Sequence, residues 1–505
     1  MQRLVLKSID KNLETIEKLF ENCYDIIIRR MEIGELYRVK MAIVYIDGLV
    51  DKDHISNFTI ECLFTEEEIK KFTLNGFKSS LLDIISKEII ANSEIKEEYR
   101  MEKAIDSILS GDAVLFIDNS DRCLIIGSKQ FPARSIAEPV TETVVRGPRD
   151  GFTEVLKVNT SLVRRRIKDT NLKIEIKQVG RRSKTDVAIL YIDDIVDKSM
   201  LLELKERINK IDIDAVIDSS IFENLIEDNY LSPFPQIEST ERPDAVAASL
   251  YSGRIAIIVD NSPFALLIPA TFGTLLQSSE DYYKRWAESS FVRILRIIAV
   301  ALTVLSPGLY VAITAYHPGL LPTVLTYYLA ASRINVPFPA VVEAVLMELT
   351  LELLRESGTR ISGPIGTTVG IVGGLIIGQA AVEAGIVSPL MIIIVAVTTI
   401  SSFAIPSYDF GIGFRLWRFI LIVCASILGL YGMMLGIIVM ITHLIKLNSF
   451  GVPYTSPYSG LGIEGGALKD TLIKAPIQYI KSRPTFTNPQ NKIRMRGYWK
   501  DGRRK

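Results

Sequence analysis

Four stretches in the last two-fifths of the chain are apolar enough and long enough to cross a bilayer: Ile297–Tyr316, Ile365–Val382, Gly385–Ile405 and Phe419–Thr442. Each holds about 18–24 residues with almost no charge. At about 1.5 Å per residue, a helix of that length matches a hydrocarbon core about 30 Å thick. Everything before them, more than half of the 505 residues, reads as soluble. The expected fold class is therefore an α/β N-terminal soluble region of two tandem duplicated subdomains, followed by an α-helical polytopic membrane domain with four clear spans, or six. The expected boundaries are a first α/β subdomain over 1–137, a connector over 138–170 and a second α/β subdomain over 171–290. A transmembrane domain over 291–446 and a basic cytoplasmic tail over 447–505 follow. A function must use both the water-facing and the membrane part.

The tail carries eleven Lys/Arg against two Asp between Lys469 and Lys505. Basic residues flanking a span mark the cytoplasmic side, where anionic membrane lipids attract them, so nucleic acid is not the expected partner. Lys284, Arg285, Arg293 and Arg296 precede the first span and favour a cytoplasmic start. Both ends then share one side, and the number of crossings is even. No apolar run precedes a small-residue cleavage site, so no signal peptide is expected at the N-terminus. Cys23, Cys62, Cys123 and Cys424 are scattered, and His54, His317 and His443 lie far apart. Disulfides, a metal site and a cofactor are not expected. No Gly-x-Ser-x-Gly, P-loop or HExxH motif is present, so the chain does not read as an enzyme.

The soluble half repeats itself. Ala42-Ile-Val-Tyr-Ile-Asp47 with Asp51-Lys52 matches Ala188-Ile-Leu-Tyr-Ile-Asp193 with Asp197-Lys198. Gly111-Asp-Ala-Val-Leu-Phe-Ile-Asp118-Asn119-Ser120 matches Gly253-Arg-Ile-Ala-Ile-Ile-Val-Asp260-Asn261-Ser262. Two matches in one order at nearly one offset argue for an internal repeat. Continuous apolar runs such as Met41–Ile46 and Val114–Ile117 predict strands buried on both faces. Phe77–Ala91 and Ser199–Lys210 carry helical spacing. The Asp-Asn-Ser corners read as tight turns rather than ligand sites.

Between the repeats runs Glu138-Pro139-Val-Thr-Glu142-Thr-Val-Val-Arg146-Gly147-Pro148-Arg149-Asp-Gly151-Phe152-Thr-Glu154, then a short basic helix through Arg164-Arg165-Arg166. Arg146 and Arg149 could pair with Glu138, Glu142 and Glu154; as surface pairs they would contribute little. This pattern resembles the signature of the spore germination receptor A subunits of the GerA type. Gly370-Ile-Val-Gly373-Gly374 through Gly378-Gln379-Ala380-Ala381, Arg415-Leu-Trp-Arg418-Phe419 and Ser449-Phe450-Gly451-Val452-Pro453-Tyr454 resemble the same family in the same order. The resemblance implies an integral protein of the bacterial spore inner membrane; the basic charge before the first span and in the tail then puts the N-terminal domain and the tail on the core-facing side. It implies a transporter-like B subunit and a lipoprotein C subunit as partners, and a nutrient response that triggers ion release. It also implies that this subunit forms a homo-oligomer, the ion-conducting part, gated by nutrient binding to a partner.

Gly366, Gly370, Gly374 and Gly378 recur every four residues and form one stripe of small residues, a surface on which membrane helices approach closely. The opposite face carries Thr368, Val372, Ile376, Gln379 and Glu383. In a ring of such helices, Val372 and Ile376 would be apolar constrictions, and Gln379 and Glu383 a polar mouth. Simple packing within one subunit is the other reading. Ahead of this span, Glu348, Glu352, Arg355 and Glu356 share one face of a predicted helix, with Glu343 apart. Glu343, Glu348 and Glu352 are candidates for a water-filled vestibule, or the helix lies in the interface. A rival reading is a subunit of a secondary transporter with a soluble regulatory domain, for which Pro307-Gly308 would supply a broken helix.

Overall fold

The computed structural model describes residues 4–33, 39–53, 55–56, 95–130, 137–139, 141–360, 378–458, 470–471 and 473–495. They fall into two compact units. One, here the α/β unit, comprises Met1–Glu227, Ile237–Pro269 and Lys481–Lys505; the other, the helical unit, comprises Asp228–Gln236 and Ala270–Ile480.

The α/β unit holds two five-stranded antiparallel sheets. The first is built from β1 (Ile26–Ile33), β2 (Val39–Ile46), β3 (Ile95–Glu98), β4 (Ala113–Ile117) and β5 (Cys123–Ile126), in the order β1-β2-β4-β5-β3. Helices α1 (Ile9–Leu19) and α2 (Met101–Leu109) accompany it. The second half begins with α3 (Leu156–Arg166), β6 (Leu172–Val179), β7 (Thr185–Ile192), α4 (Lys198–Asn209) and α5 (Ser219–Ile226). It ends with β8 (Glu238–Thr240), α6 (Pro243–Tyr251), β9 (Ile255–Val259) and β10 (Ala265–Ile268). Its sheet order, β6-β7-β9-β10-β8, is the same. Register agrees as well: Ala42 pairs with Phe116, and Ala188 with Ile258.

The apolar runs become inner strands because both faces are covered. Ala42, Val44, Ile46 and Phe116 pack on Ile9, Leu13 and Ile16 of α1 and Ile108 of α2, while Met41, Ile43 and Leu115 meet Val50 and Ile55 on the other side. In the second half, Ala188, Leu190 and Ile258 pack on Leu156 and Val163 of α3 and Leu250 of α6. Helix α3 therefore belongs to the second fold; the basic helix placed in the connector is the counterpart of α1. The expected helix at Ser199–Lys210 is α4, and that at Phe77–Ala91 lies outside the described residues.

The repeated polar residues explain how each first helix is seated. Asn12 Oδ1 accepts from Leu6 N at 2.9 Å, and its Nδ2 donates to Leu6 O at 2.6 Å. Asn159 makes the same pair of bonds with Thr153, at 2.8 and 2.5 Å. Asp118 Oδ1 accepts from Ile9 N at 3.2 Å and Asp260 Oδ1 from Leu156 N at 3.1 Å, so each corner aspartate takes a donor that the helix start leaves free. The asparagines beside them sit at φ 64° and 66°, left-handed positions that Asn tolerates.

In the helical unit, two short helices, α7 (Phe272–Leu275) and α8 (Glu280–Tyr283), precede α9 (Trp286–Tyr316). Then come α10 (Thr323–Ser332), α11 (Ala340–Arg360), α12 (Pro389–Phe403) and α13 (Tyr408–Lys446). Two of these, α9 and α13, are long and apolar enough to span a membrane among the described residues, not the four to six expected. The difference has local causes. Gly385 takes a positive φ of 66° and Ser388 caps Pro389, so Gly385–Ile405 yields only a 15-residue helix, about 22 Å long. Ile365–Val382 lies outside the described residues as far as position 377. Helix α9 runs unbroken through Pro307, so the helix break expected there is absent.

Helix α13 is two arms joined at Gly429, whose φ of 61° and ψ of −137° interrupt the helix. The arms fold back on each other. Trp417 and His443 have ring centroids 6.0 Å apart, where a straight helix would separate them by roughly 39 Å. A β-carbon on Gly436 would stand 2.5 Å from Leu421 Cδ2, so glycine there lets the arms close. At the hairpin tip the Tyr316 hydroxyl donates to Ser426 O.

Candidate functional site

The carboxylates Glu343, Glu348 and Glu352 lie one to one and a half turns apart on α11, and each meets arginine. Glu343, fully buried, accepts from Arg333 Nη2 at 2.9 Å and from Ser388 N at 3.0 Å. Ser388 Oγ is 2.9 Å from the Tyr310 hydroxyl. Glu348 Oε2 stands 2.7 Å from Arg418 Nη2, with both side chains buried. Glu352 pairs with Arg415 Nη1 and with Arg355 Nη1, each at 3.2 Å, and Arg355 Nη2 donates to Ser402 at 3.0 Å. The three carboxylates offered as vestibule candidates are thus brought together as rungs of an ion-pair ladder. It joins α11 to α12 and to the first arm of α13.

The sequence reading missed the cationic half of this ladder. Its signal was present: Arg415 and Arg418 at i,i+3 meet Glu348 and Glu352 at i,i+4 on an antiparallel helix. Charges held in low dielectric attract strongly, but each also loses hydration, so such pairs persist where the geometry is tight. Neither oxygen of Glu348 has a hydrogen bond of good geometry, nor has Arg418 Nε. This rung is the least satisfied of the three.

The pore candidates Thr368, Val372 and Ile376 and the packing glycines Gly366, Gly370 and Gly374 lie outside the described residues. Gly378 is buried, and a β-carbon there would stand 3.7 Å from Ile392 Cγ2, an ordinary packing distance. Gln379 Nε2 donates to Glu383 Oε1 at 2.9 Å, and both are exposed.

The connector motif separates into an exposed and an anchored part. Arg149 pairs with Glu138 at 3.2 Å on the surface, and Arg146 and the Glu154 side chain are exposed. Glu142 is the anchored one. It accepts from Thr240 Oγ1 at 2.6 Å, while buried Arg242 donates to Glu142 O at 3.1 Å and to Pro148 O at 2.8 Å. Burial, with help from nearby Glu238 and Glu241 and against the Thr240 hydrogen bond and Arg242, pushes the Glu142 carboxyl up to about 7. Arg242 organises the motif from about a hundred residues away, which no local pattern reveals.

Two of the four basic residues ahead of the first span are engaged inside the protein, while Arg285 is exposed. Arg293 and Arg296 are buried against Asp281, at 3.2 and 2.6 Å, and Lys474 Nζ donates to Asp281 O at 2.5 Å. Part of the tail is likewise packed rather than free. Thr487 Oγ1 donates to Ser252 O at 2.8 Å, Asn488 Nδ2 to Asp197 at 2.9 Å and Gln490 N to Ile195 O at 3.0 Å, all within the α/β unit.

The chain thus combines two like-folded antiparallel α/β halves, joined by an Arg242-anchored motif, with helices of which two, α9 and α13, are long and apolar enough to cross a membrane. A family model described as Bacillus/Clostridium GerA spore germination protein matches residues 14–486. The chain is 43% identical over 491 residues to spore germination protein KA of Bacillus subtilis, covering 97% of this chain and 89% of that one. It is 40% identical to spore germination protein GerLA of Bacillus cereus, covering 92% of each chain, and 40% identical to spore germination protein A1 of Bacillus subtilis, covering 89% of each. The crystal structure of the N-terminal domain of the A subunit of the Bacillus megaterium spore germinant receptor GerK3 is 32% identical; the match covers 54% of this chain and 98% of that one, with a TM-score of 0.43. The chain belongs to the GerA spore germination protein family.

Proposed function

We propose that this chain is the A subunit of a nutrient receptor in the spore inner membrane, where it oligomerises to form the ion-conducting part. Its gate opens when nutrient binds a partner, and a transporter-like B subunit and a lipoprotein C subunit complete the receptor. The span around Thr368, Val372, Ile376, Gln379 and Glu383 would line the path, with Gly366, Gly370, Gly374 and Gly378 packing behind it. The two α/β halves would descend from one duplicated ancestor and face the core together with the tail. The observation that carries the reading is the ion-pair ladder by which Glu343, Glu348 and Glu352 of α11 are tied to the apolar helices α12 and α13. Ionisable groups are costly there and are usually retained for function.

The test is nutrient-triggered ion release from spores carrying Glu348→Gln, and from spores carrying Glu348→Leu together with Arg418→Met. The double variant removes both buried charges, so it should accumulate near the normal amount while release falls at least tenfold. Normal release from accumulated double variant would remove the ladder from the mechanism.

A further inference from the structure

The chain leaves the α/β unit after Glu227, at the end of α5, and returns to it at Ile237, just before β8; the nine residues between, Asp228–Gln236, belong to the helical unit. Their seat is built from several elements. Phe234, 1% exposed, is inserted among Phe410 and Phe414 of α13 and His443 of its returning arm, with ring centroids at 6.0, 5.2 and 6.1 Å. Gly413 makes room for it: a β-carbon there would stand 2.6 Å from Phe234 Cδ1 and 2.8 Å from Pro233 O. Ser232 Oγ lies 3.0 Å from His443 Nε2. The two ends of the segment are tied down as well. Asp228 Oδ2 accepts from Phe450 N at 2.8 Å, and Gln236 O accepts from Ser449 Oγ at 2.6 Å.

An anchor that only held the chain in place would need its end ties alone. This segment also drives an aromatic side chain between the two arms of the α13 hairpin, at the end away from Gly429, and hydrogen-bonds the last turn of the returning arm. Packed aromatic groups adopt discrete arrangements rather than sliding continuously. The segment's neighbours on both sides in the chain are elements of the α/β unit. A rearrangement of α5 against β8 would therefore reach this segment through the chain itself.

We propose that Asp228–Gln236 is the coupling element of the receptor, with Phe234 as its positioning residue: it converts a change in the α/β unit into a change in the α13 hairpin. This rests on the receptor reading above. The same wedge holds the arms at their resting separation until the α/β unit moves it.

The test uses spores carrying the whole receptor with Phe234→Ala, Phe234→Leu or Ser232→Ala in this chain. The amount of the chain in the membrane is measured beside the rate of nutrient-triggered ion release at several nutrient concentrations. Phe234→Ala should accumulate yet release ions at least tenfold more slowly, or release them without nutrient. Phe234→Leu, which refills most of the seat, should recover much of the regulated response. A native response from accumulated Phe234→Ala overturns the proposal. Should Phe234→Ala fail to accumulate, Ser232→Ala decides. It removes only the bond to His443, and should shift the half-saturating nutrient concentration severalfold at normal amount; an unshifted response overturns coupling through this segment. Spores lacking the whole chain separate the two ideas: if they answer every nutrient normally, the receptor reading fails whatever the Phe234 variants do.

Discussion

Arg164 and Asp25 decide how two like folds meet. Arg164, on α3 of the second half, donates Nε and Nη2 to Asp25 at 2.9 and 3.0 Å and Nη1 to Leu172 O at 3.0 Å, with no exposure of its own. Tyr24 N, next to Asp25, donates to Ile174 O at 3.1 Å. Removing one member strands the other charge in the interior. Arg164→Ala should therefore destabilise the α/β unit by about 3–5 kcal/mol, seen as a lowered midpoint in thermal unfolding of the full chain. A midpoint within a degree of the parent would mean that the pair is dispensable. Glu142 acts in the opposite sense. Its carboxyl is raised to about 7, so the folded state favours the protonated form. Its contribution to stability is full below the ordinary carboxylate range near 4.5 and is lost as pH rises through about 7. Glu142→Gln keeps a group that can bond Thr240 but cannot ionise. The stability gap between variant and parent should open in the variant's favour between pH 5 and pH 8; a gap that stays constant refutes the titration.

At the scale of elements, what the sequence disclosed depended on whether the cause was local. The inner strands were legible because Met41–Ile46 and Val114–Ile117 are apolar without interruption, and α4 because its spacing is helical. Asp118 and Asp260 were read as turn residues, which their asparagine neighbours are; their bonds to Ile9 and Leu156 were not visible because the partners lie about a hundred residues away. The assignment of α3 to a connector failed for the same reason. Its basic face hides a buried one, and its counterpart α1 shares little with it beyond Asn12 and Asn159. Phe419–Thr442 falls within α13, which is long and apolar enough to cross a membrane, but hydropathy is blind to the reversal of direction inside that apolar run. The reversal hangs on Gly429, where a β-carbon would stand 2.7 Å from His317 Cε1 and 2.9 Å from Tyr316 Cβ. Its backbone angles also lie where side chains other than glycine's are strained, by about 1–3 kcal/mol. Gly429→Val should lose the hairpin and with it stable accumulation in the membrane, measured by immunoblot. Gly319→Val makes the comparison, since nothing lies within 4 Å of a β-carbon there, and it should be tolerated.

At the scale of the molecule, flanking charge is weak ground for expecting both ends on one side. Arg293 and Arg296 are paired with Asp281 and, for Arg293, also with Asp470, so counting them as free flanking charge overstated their weight. The chain's own connectivity is the better ground. Residues on both flanks of the helical unit, Met1–Glu227 with Ile237–Pro269 before it and Lys481–Lys505 after it, belong to one compact unit. That unit is closed by specific bonds, such as Asn488 to Asp197 and Gln490 to Ile195. A folded unit cannot be divided by a bilayer, because its buried backbone bonds and charge pairs would have to be broken to place its parts on opposite faces. On that ground we propose that the helices between the flanks cross an even number of times. Single cysteines at Ser8 and Asn488, in a chain otherwise freed of thiols, should react with a membrane-impermeant maleimide together or not at all when sealed vesicles of known orientation are used. Labelling of one position and protection of the other would break the even-crossing rule and the joining of the C-terminal strap to the α/β unit at once.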